Sequence, residues 1–365
     1  MPKAKSDGAR GKGRAGHGQL WRGVEYEETV AAVCKYFCRG YLPADIADLM
    51  QERYGLKMSR EAPYKYIQYA AAHNWLQFLG PREDRLSDTM RTHYPWLQQA
   101  EVVHTSMMDD VAYRAAVMVV ELLRAYRRRH KDIVHIGVTG GYSMRTVAEK
   151  LAALLQQPID GFPKTVVFHT LVASFDVDTP VTDPNAFLTY FVSPAIQHWL
   201  DVRFVMLHAP AMIEPKEMPK VLALPGVEMA CQQVHKLDLI VTSAAVMNDP
   251  HSMLSRYYAE PTPTRDLLKR DGCVGDMLWW PLARHGPLDL SQYPYRSLTL
   301  IELRELPDYI QRGTQVLLAL GPCGQCGELK TDILEALLHL DDHLLTHLVV
   351  DSRTARALFE RVPST

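Results

Sequence analysis

The sequence predicts an α/β protein: a helix-turn-helix, winged-helix-like head followed by a Rossmann-like domain built on a mostly parallel sheet. Three observations predict it. Between about residues 26 and 79, apolar residues recur at helical spacing and are punctuated by Gly40, Pro43 and Gly55. From residue 131 onward, short apolar runs alternate with amphipathic helical stretches, without long hairpins of alternating polarity. That pattern describes strands buried on both faces by helices. The first such run leads into a glycine-rich turn and then a helix, the arrangement that places a ligand at a strand end.

The elements follow in order. Residues 1–22 hold Lys3, Lys5, Arg10, Lys12, Arg14 and Arg22 among glycines and alanines, opposed by Asp7. No core can form there, so the segment reads as a flexible basic arm, either simply solvated or in contact with phosphates. Residues 23–85 form the head. Its first helix carries Val30, Val33, Cys34 and Phe37 on one stripe and stops at Gly40. Leu42-Pro43-Ala44-Asp45 opens the second, with Pro43 suited to a first turn and Ile46, Ala47, Leu49 and Met50 facing inward. After a turn at Tyr54–Met58, Ser59 is a good N-cap for a third helix through Tyr64, Lys65, Ile67, Gln68 and Ala71. Pro63, four residues past that cap, sits at the limit of what a helix start tolerates. His73-Asn74-Trp75-Leu76-Gln77-Phe78 reads as a short extended wing.

A helix, a turn and a capped helix place the later helix in the major groove of duplex DNA. Arg60, Tyr64, Lys65 and Gln68 point away from the expected Ile67/Ala71 core face. Arg and Lys match guanine edges, and Gln matches adenine. Charge placement agrees: residues 1–80 carry 12 Lys/Arg against 8 Asp/Glu, while the remainder carries 28 against 34. A three-helix bundle serving dimerisation or protein contact is the alternative use of the same helices.

Residues 86–365 form the second domain. It begins with a short helix, a strand at Ala100–Val103 and a long helix over Asp109–Arg129. Strands are expected at Ile133–Val138, Thr165–Phe168, Val202–Leu207, Leu237–Thr242, Val316–Leu320 and Leu348–Val350, with helices at Met144–Leu155 and Thr331–Leu340. Over the whole chain, 47% of residues are apolar and 22% charged, which excludes a disordered protein. No apolar run reaches membrane-spanning length, and the N-terminus lacks the apolar stretch of a secretory signal. Six cysteines over 365 residues are too sparse for a disulfide framework, so a reducing cytoplasm is expected.

The chemistry concentrates in two turns. Gly137-Val138-Thr139-Gly140-Gly141-Tyr142-Ser143 joins a buried strand to a helix. Glycines there let a ligand approach backbone N–H groups, the helix N-terminus favours an anion, and Thr139 and Ser143 add hydroxyls. The turn is neither a P-loop nor a dinucleotide fingerprint. Gly321-Pro322-Cys323-Gly324-Gln325-Cys326-Gly327-Glu328-Leu329-Lys330 follows another apolar strand, and Lys330 is placed to neutralise an anion held by the first turn. Cys323 and Cys326 admit a metal or redox reading. A single Cys-x-x-Cys without a second pair or neighbouring histidines points instead to small residues at a tight turn, and no metal is expected. Asp276, after Gly275, suits either a ligand hydroxyl or a surface cap. No Ser/His/Asp order or carboxylate pair marks a catalytic residue, and nothing asks for a cofactor.

Several segments together resemble the SorC/DeoR-like sugar-binding transcriptional regulators. They are Leu42–Ala47 with Met58-Ser59-Arg60, Ile136–Met144 with Val147-Ala148, and Leu237–Val241. They continue with Gly272–Asp276 and Gly286, Leu318–Lys330, and Leu348–Asp351 with Thr354-Ala355. The likeness runs in order over about residues 28–360. It implies a helix-turn-helix joined to an effector domain with the fold of ribose-phosphate isomerases and glucosamine-phosphate deaminases (NagB/RpiA/CoA-transferase-like). It also implies that Gly141, Tyr142 and Ser143 line the phosphate end of an effector site, that Asp276 lies near sugar hydroxyls, and that Arg256 and Lys330 are anion partners. The chain departs from the family pattern at Tyr142 and Ser143, at Thr242–Ala245, at Pro63 and in the length of the Gly321–Lys330 turn.

The expectation is therefore a cytoplasmic DNA-binding regulator whose affinity for a double-stranded operator answers to a small phosphorylated sugar or related anionic metabolite. A homo-oligomer, dimer or tetramer, would match a palindromic site. An isomerase- or deaminase-type enzyme on the same scaffold and a protein-interaction sensor are the rival readings.

Overall fold

A computed structural model describes residues 26–73, 75–76, 79–173, 180–252, 254–258 and 262–361. The basic arm, and Asn74, Gln77 and Phe78 of the expected wing, lie outside them. The chain divides into two compact units between Leu79 and Gly80, six residues before the expected end of the head at 85, so the charged junction Pro81–Arg85 falls in the second unit. The physical reason is hydrogen bonding. The Glu83 N–H donates to the Val102 carbonyl (2.8 Å) and the His104 N–H to the Pro81 carbonyl (2.8 Å), so the junction is part of the sheet domain.

The first unit holds α1 (Tyr26–Cys38), α2 (Pro43–Tyr54) and α3 (Ala62–Ala72). Val33, Tyr36, Ile46, Met50 and Leu56 form its core. Tyr36 rather than Phe37 is the fully buried residue at the end of α1. Gly55 ends α2 in the left-handed region (φ 66°), a conformation glycine takes without a Cβ penalty.

The third helix corrects three expectations. It starts at Ala62, with Glu61 rather than Ser59 at the cap position and no side-chain cap. Pro63 thereby falls in the first turn, where the missing N–H costs nothing; a start at Ser59 would have driven its ring into the preceding turn. The buried face runs through Pro63 and Ala70, not Ala71, which is exposed. Beyond α3, the N–H groups of Trp75 and Leu76 both return to the Ala70 carbonyl (2.7 and 3.3 Å). These two residues close the helix and do not begin an extended wing.

In the second unit, α4 (Asp84–His93) precedes β1 (Gln99–Val103) and α5 (Met108–Arg128). The strands β2 (Ile133–Val138), β3 (Thr165–Thr170), β4 (Asp201–Val205), β5 (Met212–Ile213), β6 (Leu239–Thr242) and β7 (Ala244–Val246) follow, with α6 (Tyr142–Leu154) between β2 and β3. The chain continues through β8 (Cys273–Met277), β9 (Trp280–Ala283), β10 (Gly286–Pro287), β11 (Arg296–Ser297), β12 (Gln315–Leu320) and β13 (His347–Asp351). Seven strands make a sheet in the order β1-β13-β12-β6-β2-β3-β4, and every neighbouring pair is parallel. Alternate residues supply the two faces. Leu317 and Ala319 join the layer formed with α5 and α6, while Val316, Leu318 and Leu320 join the opposite layer. Each such leucine or valine contributes about 1.5–3 kcal/mol by leaving water.

A four-stranded antiparallel sheet, β10-β9-β8-β7, packs in the second layer. The sequence reading did not anticipate it. Its hairpin between β8 and β9 turns on Leu278 and Trp279, both in the left-handed region (φ 54° and 59°). Two-residue turns of this hand normally use Asn or Gly, so no turn signal marks the hairpin. The strand run Trp280–Ala283 is buried throughout and shows no polar alternation.

The chain path reverses between β2 and β6. From β2 it proceeds outward to β3 and β4; from β6, on the other side of β2, it proceeds to β12 and β13. Strand ends at such a switch point leave a crevice, because the loops that follow them diverge.

Candidate functional site

Beyond the C-terminal end of β2 the chain passes through Thr139, Gly140 and Gly141 into α6. The Thr139 hydroxyl lies 3.1 Å from that of Thr242 at the end of β6, tying the two central strands together at the switch point. A Cβ on Gly140 would lie 2.5 Å from the Trp279 ring and 2.8 Å from the Thr182 carbonyl, so only glycine fits. Gly141 adopts φ 105° and donates its N–H to the Thr182 carbonyl (2.9 Å). No side chain caps α6. The positive end of that helix therefore opens on the cleft that Tyr142 and Ser143 line.

The second turn leaves β12 at the same rim of the sheet and ends at Lys330, whose ammonium donates to the Ser143 hydroxyl (3.4 Å). Lys330 is 5% exposed. Burial pulls its pKa down, and the nearby Asp249, Cys323, Asp276 and Asp351 work against that fall. Asp276, in β8, is 4% exposed. Burial pushes its carboxyl up to about 7, against the pull of Lys330 and a backbone hydrogen bond at Trp279. Its Oδ1 has no partner among the described residues. A buried acceptor left unpaired typically costs about 1–3 kcal/mol, which a ligand hydroxyl can recover.

Thr139, Gly140, Gly141, Tyr142, Ser143, Asp276 and Lys330 thus line one cleft of about 100 Å³. A second hollow of about 370 Å³ shares Tyr142, Ser143 and the Cys323–Gln325 segment and reaches the N-terminal turn of α5. Small-metabolite sites commonly occupy about 300–1,000 Å³. Arg256 is the exception. It sits in the turn Leu254–Tyr258 and lines a separate hollow with Arg265 and Lys269, outside the cleft. The resemblance implied it as an anion partner, but the segment that follows Asp249 carries it away from the strand ends.

Sequence reasoning missed Trp279 and Leu278, which wall the cleft, and also Asp249 and His251. The latter two lie beside Cys323 and Cys326, and the donor atoms of all four fall within 4.8 Å of one another. The expectation that no histidine accompanies the Cys-x-x-Cys turn is therefore corrected. Histidine and cysteine are 72 residues apart in sequence, and the parallel pairing of β6 with β12 brings the chain that follows each strand to one rim.

In the first unit, Arg60, Tyr64, Lys65 and Gln68 are all exposed. Tyr64, Lys65 and Gln68 share one side of α3, opposite Pro63 and Ala70, and Arg60 lies in the turn just before the helix. The Tyr26 ring packs on Tyr66 and Tyr69 (centroids 5.5 and 5.1 Å apart) and holds α3 against α1.

No family model matches the sequence, and no curated protein matches it. Solved structures do match the fold. The full-length sorbitol operon regulator SorC from Klebsiella pneumoniae is similar over 92% of this chain and 99% of its own, with 14% identity and a TM-score of 0.61. A DeoR family transcriptional regulator from Listeria monocytogenes covers 75% of this chain and 98% of its own, at 16% identity and a TM-score of 0.54. A transcriptional regulator from Streptococcus pneumoniae TIGR4 covers 76% and 96%, at 16% identity and a TM-score of 0.54. The chain shares their fold.

Proposed function

We propose that the protein is a DNA-binding transcriptional regulator whose second unit senses a small, phosphorylated, sugar-like metabolite. The observation that carries the reading is the cleft at the switch point. It combines an uncapped helix N-terminus, a buried ammonium and a buried carboxyl with a free acceptor. An anion is drawn by the first two, and a hydroxyl-bearing carbon skeleton by the third. A phosphorylated sugar or polyol presents both. The regulators that share the fold, the sorbitol operon regulator among them, support the same reading.

The exposed Tyr64, Lys65 and Gln68 of α3, with Arg60 in the turn before it, supply the DNA contacts under this reading, and a symmetric homo-oligomer pairs two such helices on a palindromic site. Effector binding changes operator affinity only by as much as the effector distinguishes two states of the protein. Fluorescence anisotropy on duplexes selected from a random library tests the scheme. Arg60→Ala and Lys65→Ala should each weaken binding by about 1–3 kcal/mol and flatten its salt dependence. Undiminished binding by the double variant removes the head from the account.

The Asp276–Lys330 pair favours a second reading, because two neighbouring groups with opposed shifts also suit proton transfer. In that case the full chain isomerises or deaminates a sugar phosphate. Product formation from pentose and hexosamine phosphates, lost in Asp276→Asn, distinguishes it from a sensor.

A further inference from the structure

We infer that Asp249, His251, Cys323 and Cys326 form a tetrahedral binding site for a zinc-class divalent metal at the rim of the cleft. The side chains come from two turns, one after β7 and one after β12, and both cysteines are free thiols.

The spacing of the donors carries the argument. With bonds of about 2.3 Å to sulfur and about 2.0–2.2 Å to nitrogen and oxygen, a tetrahedral site has edges of about 3.3–3.8 Å. The Cys323 sulfur lies 3.7 Å from His251 Nδ1, the Cys326 sulfur 3.8 Å from Asp249 Oδ1, and His251 Nδ1 3.3 Å from the same oxygen. These three edges fall in the range a bound metal imposes, and the remaining donor pairs lie within 4.8 Å. Two thiolates, an imidazole and a carboxylate form the ligand mixture that selects zinc over the hard cations magnesium and calcium.

The supporting bonds agree. Asp249 Oδ1 accepts the His251 N–H (2.9 Å), which sets the Asp-x-His turn. The Cys323 N–H donates to the Glu328 carbonyl (2.9 Å) and the Gly327 N–H to the Cys323 carbonyl (2.8 Å), which folds the Cys-x-x-Cys turn back on itself. Both turns are thus shaped by their own hydrogen bonds, which hold the donors towards one another.

Charge balance is satisfied as well. Binding removes two thiol protons as two positive charges enter, so the cleft keeps its net charge and Lys330 keeps its place as the cation. The site stands on donor geometry alone and does not depend on the regulatory reading.

The test uses the full chain, purified without chelator, dialysed against zinc and then against metal-free buffer. Elemental analysis should find one zinc per chain. Cobalt in its place should show the visible absorption of a tetrahedral ion and a thiolate charge-transfer band. Cys326→Ser, at an exposed position, should fold as the parent does by circular dichroism and lose metal affinity at least about tenfold. Cys323→Ser/Cys326→Ser should hold no stoichiometric metal, whereas Cys34→Ser/Cys38→Ser, on α1, should hold it unchanged. A wild-type chain that retains no stoichiometric zinc overturns the inference. So does metal that persists in the Cys323/Cys326 double variant, or a Cys323–Cys326 disulfide in chain purified under reducing conditions.

Discussion

Asn in place of Asp276 should stabilise the ligand-free protein, and by an amount that grows with pH. The Asp276 carboxyl is buried in β8, and its folded pKa is pushed up to about 7 from an ordinary value near 3.8. Between those values the native state holds a proton that the unfolded chain releases, so this group's contribution to stability falls as pH rises and levels off above about 7. Asn keeps the shape and has no charge to bury. Each pH unit inside the window is worth about 1.4 kcal/mol for one proton. The gap between Asp276→Asn and wild type should therefore widen by about 2–3 kcal/mol from pH 5 to pH 7.5. The attraction to Lys330 acts on the ionised carboxylate and is already contained in that raised pKa. Urea unfolding of both proteins at the two pH values, followed by tryptophan fluorescence, measures the gap directly. A gap independent of pH would show that Asp276 is ionised throughout, and the unpaired-acceptor argument for the cleft would fail with it.

Other outcomes follow from the same geometry. Gly140→Ala forces a methyl group to within 2.5 Å of the Trp279 ring; it should cost about 1–3 kcal/mol by overpacking, read as a lower unfolding midpoint. Gly141→Ala meets nothing within 4 Å but must hold φ 105°, so it should cost about 1–3 kcal/mol through backbone strain alone. Equal stability of either variant to wild type would mean the turn is not built as described. Acid should unfold the protein early, because burial holds His169 near 3 and His347 near 4. Both stay neutral when folded while the unfolded chain takes up protons below about pH 6.5, so stability declines as pH falls through that window. His347→Gln should reduce the decline, and an unchanged acid midpoint would count against a neutral buried His347.

The parallel sheet was legible because β2, β3, β12 and β13 are short apolar runs buried on both faces. The two turns that form the cleft were legible for a related reason: in a parallel sheet every strand-to-helix turn lies at one rim. What escaped was whatever depends on contacts across long sequence separations or on local rules that tertiary packing overrides. The Leu278-Trp279 hairpin has bulky residues where Asn or Gly is usual, held there by a wall of buried neighbours. Asp249 and His251 meet Cys323 and Cys326 only because β6 pairs with β12, which no local pattern encodes. The start of α3 was misplaced because Ser59 is an attractive cap in isolation, while Pro63 decides where the helix can begin. Asp351 shows the converse. Its segment resembled a family motif, and the structure gives it a mechanical role: its carboxylate caps the final helix by accepting from the Arg353 and Thr354 N–H groups (both 2.9 Å) and from the Thr354 hydroxyl (2.6 Å).

The central claim, that the switch-point cleft holds an anionic, hydroxyl-bearing metabolite, is tested most directly by calorimetric titration of the full chain with a panel of sugar and polyol phosphates. Some member of the panel should bind stoichiometrically, and Lys330→Met should weaken it by about 10–100-fold through loss of a buried charge-assisted contact. A panel in which nothing binds, or a ligand whose affinity survives Lys330→Met undiminished, would contradict the account.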